Sequence, residues 1–166
     1  MYPHSVPFDS QLVEAKLALN MIGPEEMPSL AWDALEAGLD GLFIRRLAAL
    51  INPSGWETDQ IESAFMAEAG LKRISIGEAS IRIARQIAIR ILSDGRDPLA
   101  HTRDFYLLWV RAEYAAEIQE IACLDDAKAW MTEADLRKEA RDLLIALVAG
   151  SGRKLRADPD SGPSAA

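Results

Sequence analysis

Cysteine and histidine are nearly missing from this chain, and each shortage closes a class of chemistry. The single Cys123 excludes an internal disulfide framework and the four-cysteine zinc sites. His4 and His101 are the two histidines, and the residues three before them are Met1 and Pro98. No Glu-x-x-His pair exists, so a single-chain di-iron bundle is excluded. No apolar run reaches about 18 residues, which excludes a transmembrane helix. Positive charge is also short: 18 basic side chains stand against 26 acidic ones, for a net charge of −8. A general affinity for nucleic acid needs cations to neutralise phosphates, and this balance argues against it. G-x-S-x-G, P-loop and G-x-G-x-x-G motifs are absent.

The first nine residues, MYPHSVPFD, carry no positive stretch and no apolar stretch, so they do not read as a secretory signal. With one free thiol, a cytoplasmic location is the expectation. Residues 1–9 read as an extended lead-in. Residues 150–166, GSGRKLRADPDSGPSAA, are rich in glycine, serine and proline and read as a disordered tail. Between them, 10–149 reads as a single helical domain. A chain of 166 residues buries about 69% of its unfolded surface, enough for a core without covalent staples.

What the sequence has in quantity is helix punctuation. Ser54-Gly55-Trp56-Glu57 and Ser75-Ile76-Gly77-Glu78 fit the capping box, and Thr132 with Asp135 is a weaker version. Asp97-Pro98 places a cap before a proline at the first helical position. Gly38, Gly70 and Gly95 each follow an apolar-periodic stretch, as left-handed C-terminal caps do. These marks predict helices over 10–21, 29–37, 41–51, 55–69, 77–93, 98–113, 116–130 and 133–149. The fold class is all-α: a compact bundle of seven to eight helices. The segment 71–76 is compatible with a short extended piece, and no alternating strand pattern is present.

Helix 77–93 is the candidate centre. Ile81, Ala84, Ile87, Ala88, Ile91 and Leu92 form its broad apolar face, while Ile83 and Ile89 fall outside it. Ile89 lies between Arg82 and Arg85. An apolar spot ringed by arginines suits a partner interface, so Arg82, Arg85, Ile89 and Arg90 are candidate interface residues. Helix 98–113 is aromatic, and His101, Phe105, Tyr106 and Trp109 are candidates to line a small-ligand pocket; core packing explains the same residues. Helix 133–149 carries a stripe of Leu136, Ala140, Leu143, Leu144 and Leu147.

Charge is unevenly spread. Residues 1–70 carry −8, residues 71–111 carry +4 and residues 112–150 carry −5. Either the flanks pair with the centre, or they present an acidic field to a basic protein partner. A helix-turn-helix fails in both places it fits. Helix 55–69 carries Glu57, Asp59, Glu62 and Glu68 and no base, and the linker from it to helix 77–93 is too long. Asp97, His101 and Asp104 share helical spacing, but capping explains Asp97 and partial burial explains His101. Cys123, in an Ile-Ala-Cys-Leu context, reads as a small buried hydrophobe. No catalytic residue, cofactor or metal ligand is named, and an enzyme is the less favoured reading.

Two stretches, LEAGLD leading into IRRLAAL at 35–50, and EAS running through ILSDGRDPL to Trp109, resemble small bacterial all-α proteins of unassigned function. The resemblance spans about residues 30–145 and implies no site residue. Some proteins of this size and charge are immunity proteins or antitoxins, an analogy rather than a derivation. The first expectation is a non-catalytic interaction module with an acidic surface for a basic protein. The alternatives are a ligand binder or enzyme using helix 98–113, and a nucleic-acid regulator using helix 77–93. A homo-oligomer is compatible with each, and a membrane partner is not expected.

Overall fold

A computed structural model describes residues 8–150; the expected lead-in before Phe8 and the expected tail beyond Gly150 lie outside the described residues. The protein is all-α. Eight α-helices and two short 3₁₀ segments follow one another, with no strand among the described residues. The helices are α1 (Ser10–Ala18), α2 (Met27–Glu36), α3 (Leu42–Ala48), α4 (Gly55–Glu68), α5 (Ile76–Asp94), α6 (Thr102–Arg111), α7 (Ala116–Ala122) and α8 (Glu133–Val148). None is long and apolar enough to cross a membrane.

Local capping chemistry sets most of these bounds. Ser54 accepts the Glu57 amide at 3.4 Å while the Glu57 carboxylate takes the Ser54 amide at 2.9 Å, a closed capping box at the start of α4. At α5, Ser75 accepts the Glu78 amide at 3.1 Å, but the reciprocal bond is missing because Glu78 turns to Arg82. Thr132 and Asp97 accept the amides of Asp135 and Leu99. Gly38 and Gly70 have φ of 85° and 68° and close α2 and α4 with paired bonds: Leu39 N–H to Ala34 C=O and Gly38 N–H to Leu35 C=O, then Leu71 to Met66 and Gly70 to Ala67.

Four stretches depart from the sequence expectation by three residues or more, and one of them is 41–51, whose helix α3 already ends at Ala48. Helix α1 stops at Ala18 because Asn20 adopts φ 51° and hands the Met21 amide back to Lys16, doing the work of a cap glycine. The stretch 98–113 opens with a 3₁₀ turn, Pro98–His101, before α6 begins. The stretch 116–130 divides at Cys123 into α7 and a 3₁₀ segment, Leu124–Ala129, in which Leu124 is buried and Asp125 accepts the Thr102 hydroxyl at 3.1 Å.

Where the sequence reads one domain over 10–149, contacts among the described residues cluster into two compact units. One runs through Ile83 and includes Arg111–Glu113; the other comprises Ala84–Val110 and the chain from Tyr114 onward. In the first, α3 packs on both α2 and α4. Its core gathers Met27, Ala31 and Ala34 of α2, Ile44 and Leu47 of α3, and Ile61 and Phe65 of α4. Glu68 of α4 reaches back to accept the amides of Phe43 and Ile44 at 2.8 and 3.0 Å, capping α3 from a distant point in the chain. Gly41 makes this possible, since a Cβ there would strike the Glu68 carboxylate.

In the second unit, α8 packs on α7 and on both 3₁₀ segments. Leu136, Ala140, Leu143, Leu144 and Leu147 are buried, which is the stripe the sequence marks. On the part of α5 in this unit, Ala84, Ala88 and Ile91 are buried as the periodicity suggests, while Ile89 is 44% exposed; Ile83, expected outside that face, is buried too, in the first unit.

Candidate functional site

One buried ionic centre organises the first unit. Glu14 is 7% exposed, inside α1 between Val13 and Ala15. A lone carboxylate there would be expensive. Arg82 Nη1 donates to Glu14 Oε2 at 2.7 Å and the Lys72 amide donates to Oε1 at 2.8 Å. Burial pushes the Glu14 carboxyl upward, but the Arg82 guanidinium and the Lys72 N–H outweigh it and hold the group below its ordinary value. Arg82 also donates to the Gln11 carbonyl and to Glu78. Its side chain is 21% exposed. Its donors are therefore taken by partners from α1 and its own helix, the Glu14 bond part-buried and the Gln11 and Glu78 bonds at the surface.

The other residues named as interface candidates belong to the second unit. Arg85 Nε donates to the Leu147 carbonyl at 3.2 Å, placing a cation at the carbonyl end of α8. Ile89 and Arg90 face solvent.

The aromatic helix divides its residues between inside and outside. Phe105 is fully buried, with Thr102 and Leu108 beside it on the inner face of α6. His101 is half-buried and its Nδ1 lies 3.1 Å from Asp104, while Asp97 instead meets Arg137. The expected alignment of Asp97, His101 and Asp104 is thus split between two pairs. Among the described residues, no group of three His, Cys, Asp or Glu is placed to hold a metal ion. Cys123 is half-buried, and burial together with Asp126 raises its thiol pKa, which disfavours the nucleophilic thiolate.

Tyr106, Trp109 and Tyr114 form an aromatic ledge. Trp109 lies 5.9 Å from Tyr106 and 4.9 Å from Tyr114, the latter edge-on at 77°. The Trp109 indole N–H is buried with no acceptor among the described residues. Tyr114 escapes the sequence reading. It and Glu113 are consecutive left-handed residues, φ 67° and 52°, and the Tyr114 amide returns to the Trp109 carbonyl at 2.9 Å. Such backbone costs about 1 kcal/mol or more per non-glycine residue, and no glycine in the sequence announces it.

Two tryptophans in the first unit were also not singled out. Trp32 is 57% exposed and Trp56 is 72% exposed. The burial of Met27, Ala31 and Ala34 at helical spacing turns Trp32 outward together with exposed Asp33 and Glu36. Trp56 sits in the first turn of α4, three residues before exposed Asp59. Asp33, Glu36 and Asp59 have no ion-pair partner among the described residues, unlike Asp40, Glu62 and Glu78, which meet Arg45, Arg73 and Arg82. No protein-family profile, curated protein or solved structure matches this chain.

Proposed function

We propose that this protein is a non-catalytic interaction module whose acidic surface receives a Lys/Arg-rich surface of a protein partner, the role that immunity proteins and antitoxins play. The observation that carries this reading is the exposure of Trp32 and Trp56 beside the unpaired carboxylates Asp33, Glu36 and Asp59. Tryptophan is among the residues enriched at interface hot spots. An arginine or lysine laid over an indole face gains a cation–π contact, and a carboxylate one turn away pairs its charge. The net charge of −8 adds long-range steering of a basic partner. A cytoplasmic location belongs to the same reading.

The experiment is a titration with a ten-residue oligoarginine peptide, followed by heteronuclear NMR at the indole N–H signals. Binding is expected to shift the Trp32 and Trp56 indole signals, to weaken as salt rises, and to fall about ten-fold in Trp32→Ala or Trp56→Ala. Binding that leaves both indole signals and both variants unaffected is a charge effect alone and overturns the proposal.

A further inference from the structure

We propose that Glu113 and Tyr114 form a latch at the end of α6, which opens locally to swing the Tyr114 ring off Trp109 and bring the Trp109 indole N–H to water. No residue of the acidic surface takes part in it.

The argument starts from how helices end in this chain. The same closing bond, from an amide to the carbonyl five residues earlier, follows α1, α2, α4, α5 and α6: Met21 to Lys16, Leu39 to Ala34, Leu71 to Met66, Arg96 to Ile91 and Tyr114 to Trp109. Each bond needs a left-handed residue just before the donating amide. In the first four that residue is Asn20, Gly38, Gly70 or Gly95, types that take this backbone at small cost. At α6 it is Glu113, and Tyr114 after it is left-handed as well. Glu113 also sets a carboxylate at the carbonyl end of a helix, where the partial charge is already negative.

Strained backbone persists where its surroundings over-determine it, and it gathers at switch segments. Here the Glu113 and Tyr114 side chains are both exposed. Among the described residues, Tyr114 is held by its amide bond to Trp109 at 2.9 Å and by its edge-on ring contact, centroids 4.9 Å apart. The closed arrangement carries a second cost, the buried Trp109 N–H without an acceptor. Opening removes both costs together, because the backbone regains ordinary φ and the indole N–H gains water. What it gives up is one hydrogen bond and one ring contact. These opposing contributions are of similar size, so the open state is a minor population on the order of 1%.

Tyr106, Trp109 and Tyr114 all belong to the second unit; Arg111–Glu113 is grouped with the first, and the latch uses only the backbone of Glu113. Tyr106 stays with α6 when Tyr114 leaves. The latch therefore gates a hydrogen-bond donor set in an aromatic surface.

The test is hydrogen exchange of the indole N–H groups in the full chain, followed by NMR, with the Trp109 signal assigned by its loss in Trp109→Phe. The Trp109 N–H is expected to exchange about 100-fold more slowly than that of exposed Trp56, matching an open fraction of about 1%. Its rate is expected to change little in low urea, because local opening exposes little surface, whereas the amide of buried Leu108 quickens steeply. Glu113→Gly is expected to slow Trp109 exchange about five-fold by relieving the closed backbone. Tyr114→Ala is expected to quicken it about three- to ten-fold by removing the ring contact. A Trp109 N–H that shares the urea dependence of the Leu108 amide opens only with the whole fold and overturns the proposal. Exchange as fast as at Trp56 overturns it too, as does a rate that Glu113→Gly leaves unchanged or Tyr114→Ala fails to raise.

Discussion

Removing the Arg82 guanidinium while keeping its apolar stem, as in Arg82→Met, isolates what the buried ionic centre contributes. The substitution deletes three bonds: to Glu14 at 2.7 Å, to Glu78 at 2.6 Å and to the Gln11 carbonyl at 3.2 Å. The Glu78 bond is on the surface and contributes little. The Glu14 bond matters, because its carboxylate stays 7% exposed with one remaining donor, the Lys72 amide. Stranding a fully buried charge costs about 3–5 kcal/mol. Arg82 itself is 21% exposed and Glu14 keeps one bond, so about 2–3 kcal/mol is expected here. For a chain of this size that lowers the melting temperature by about 4–12 °C.

Replacing both partners, Glu14→Met with Arg82→Met, is expected to recover more than half of the loss, because no buried charge is left stranded. Because Glu14 titrates below its ordinary value in the folded state, the pair's contribution is present above pH of about 4.3 and is lost as pH falls through the lower, folded value. The gap between wild type and Arg82→Met is therefore constant from about pH 6 to 8 and narrows below about pH 4. Urea denaturation followed by circular dichroism measures the gap, and hydrogen exchange at α1 amides locates it in the first unit. A single variant within 0.5 kcal/mol of wild type, by the ~0.5 kcal/mol scale of neutral surface changes, refutes the reasoning. So does a gap that persists unchanged at pH 3.

Two further outcomes follow from the same geometry. Glu68→Ala is expected to cost about 1 kcal/mol through the orphaned amides of Phe43 and Ile44, and Gly41→Ala to be destabilising in wild type but nearly neutral in Glu68→Ala; urea melts of the double-mutant cycle measure that coupling. Phe105→Ala is expected to lose about 3–5 kcal/mol and Tyr106→Ala less than about 1 kcal/mol in the same assay, because one ring is fully buried and its neighbour is half in water.

Particular elements show where a sequence reading reaches and where it stops. The capping boxes at Ser54 and Ser75, the Asp97 cap and the stops at Gly38 and Gly70 are visible as letters, because each is made by residues within one turn of each other. The stripe on α8 is visible because helical spacing alone puts Leu136 through Leu147 on one side. The left-handed pair Glu113–Tyr114 is not visible, since such residues take that backbone only where their surroundings compel them, whereas Asn20 is a residue type that caps helices in place of glycine, a legible mark that the expected helix 10–21 passes over. Arg82 illustrates the limit most directly. Its spacing marks it as a surface arginine, and only the meeting of α1 with α5 turns it inward onto Glu14.

The sequence by itself therefore determined the class of the fold, the helix bounds that carry a local cap and the uneven charge, because caps and periodicity are short-range and act within a few residues. Only the tertiary structure decided which apolar and charged side chains remain in water. Trp32 and Trp56 stay outside, Phe105 goes in while Tyr106 stays out, and Glu68 is spent on a helix far along the chain. Those outcomes depend on which helix lies against which, a relation between distant residues that no local pattern encodes.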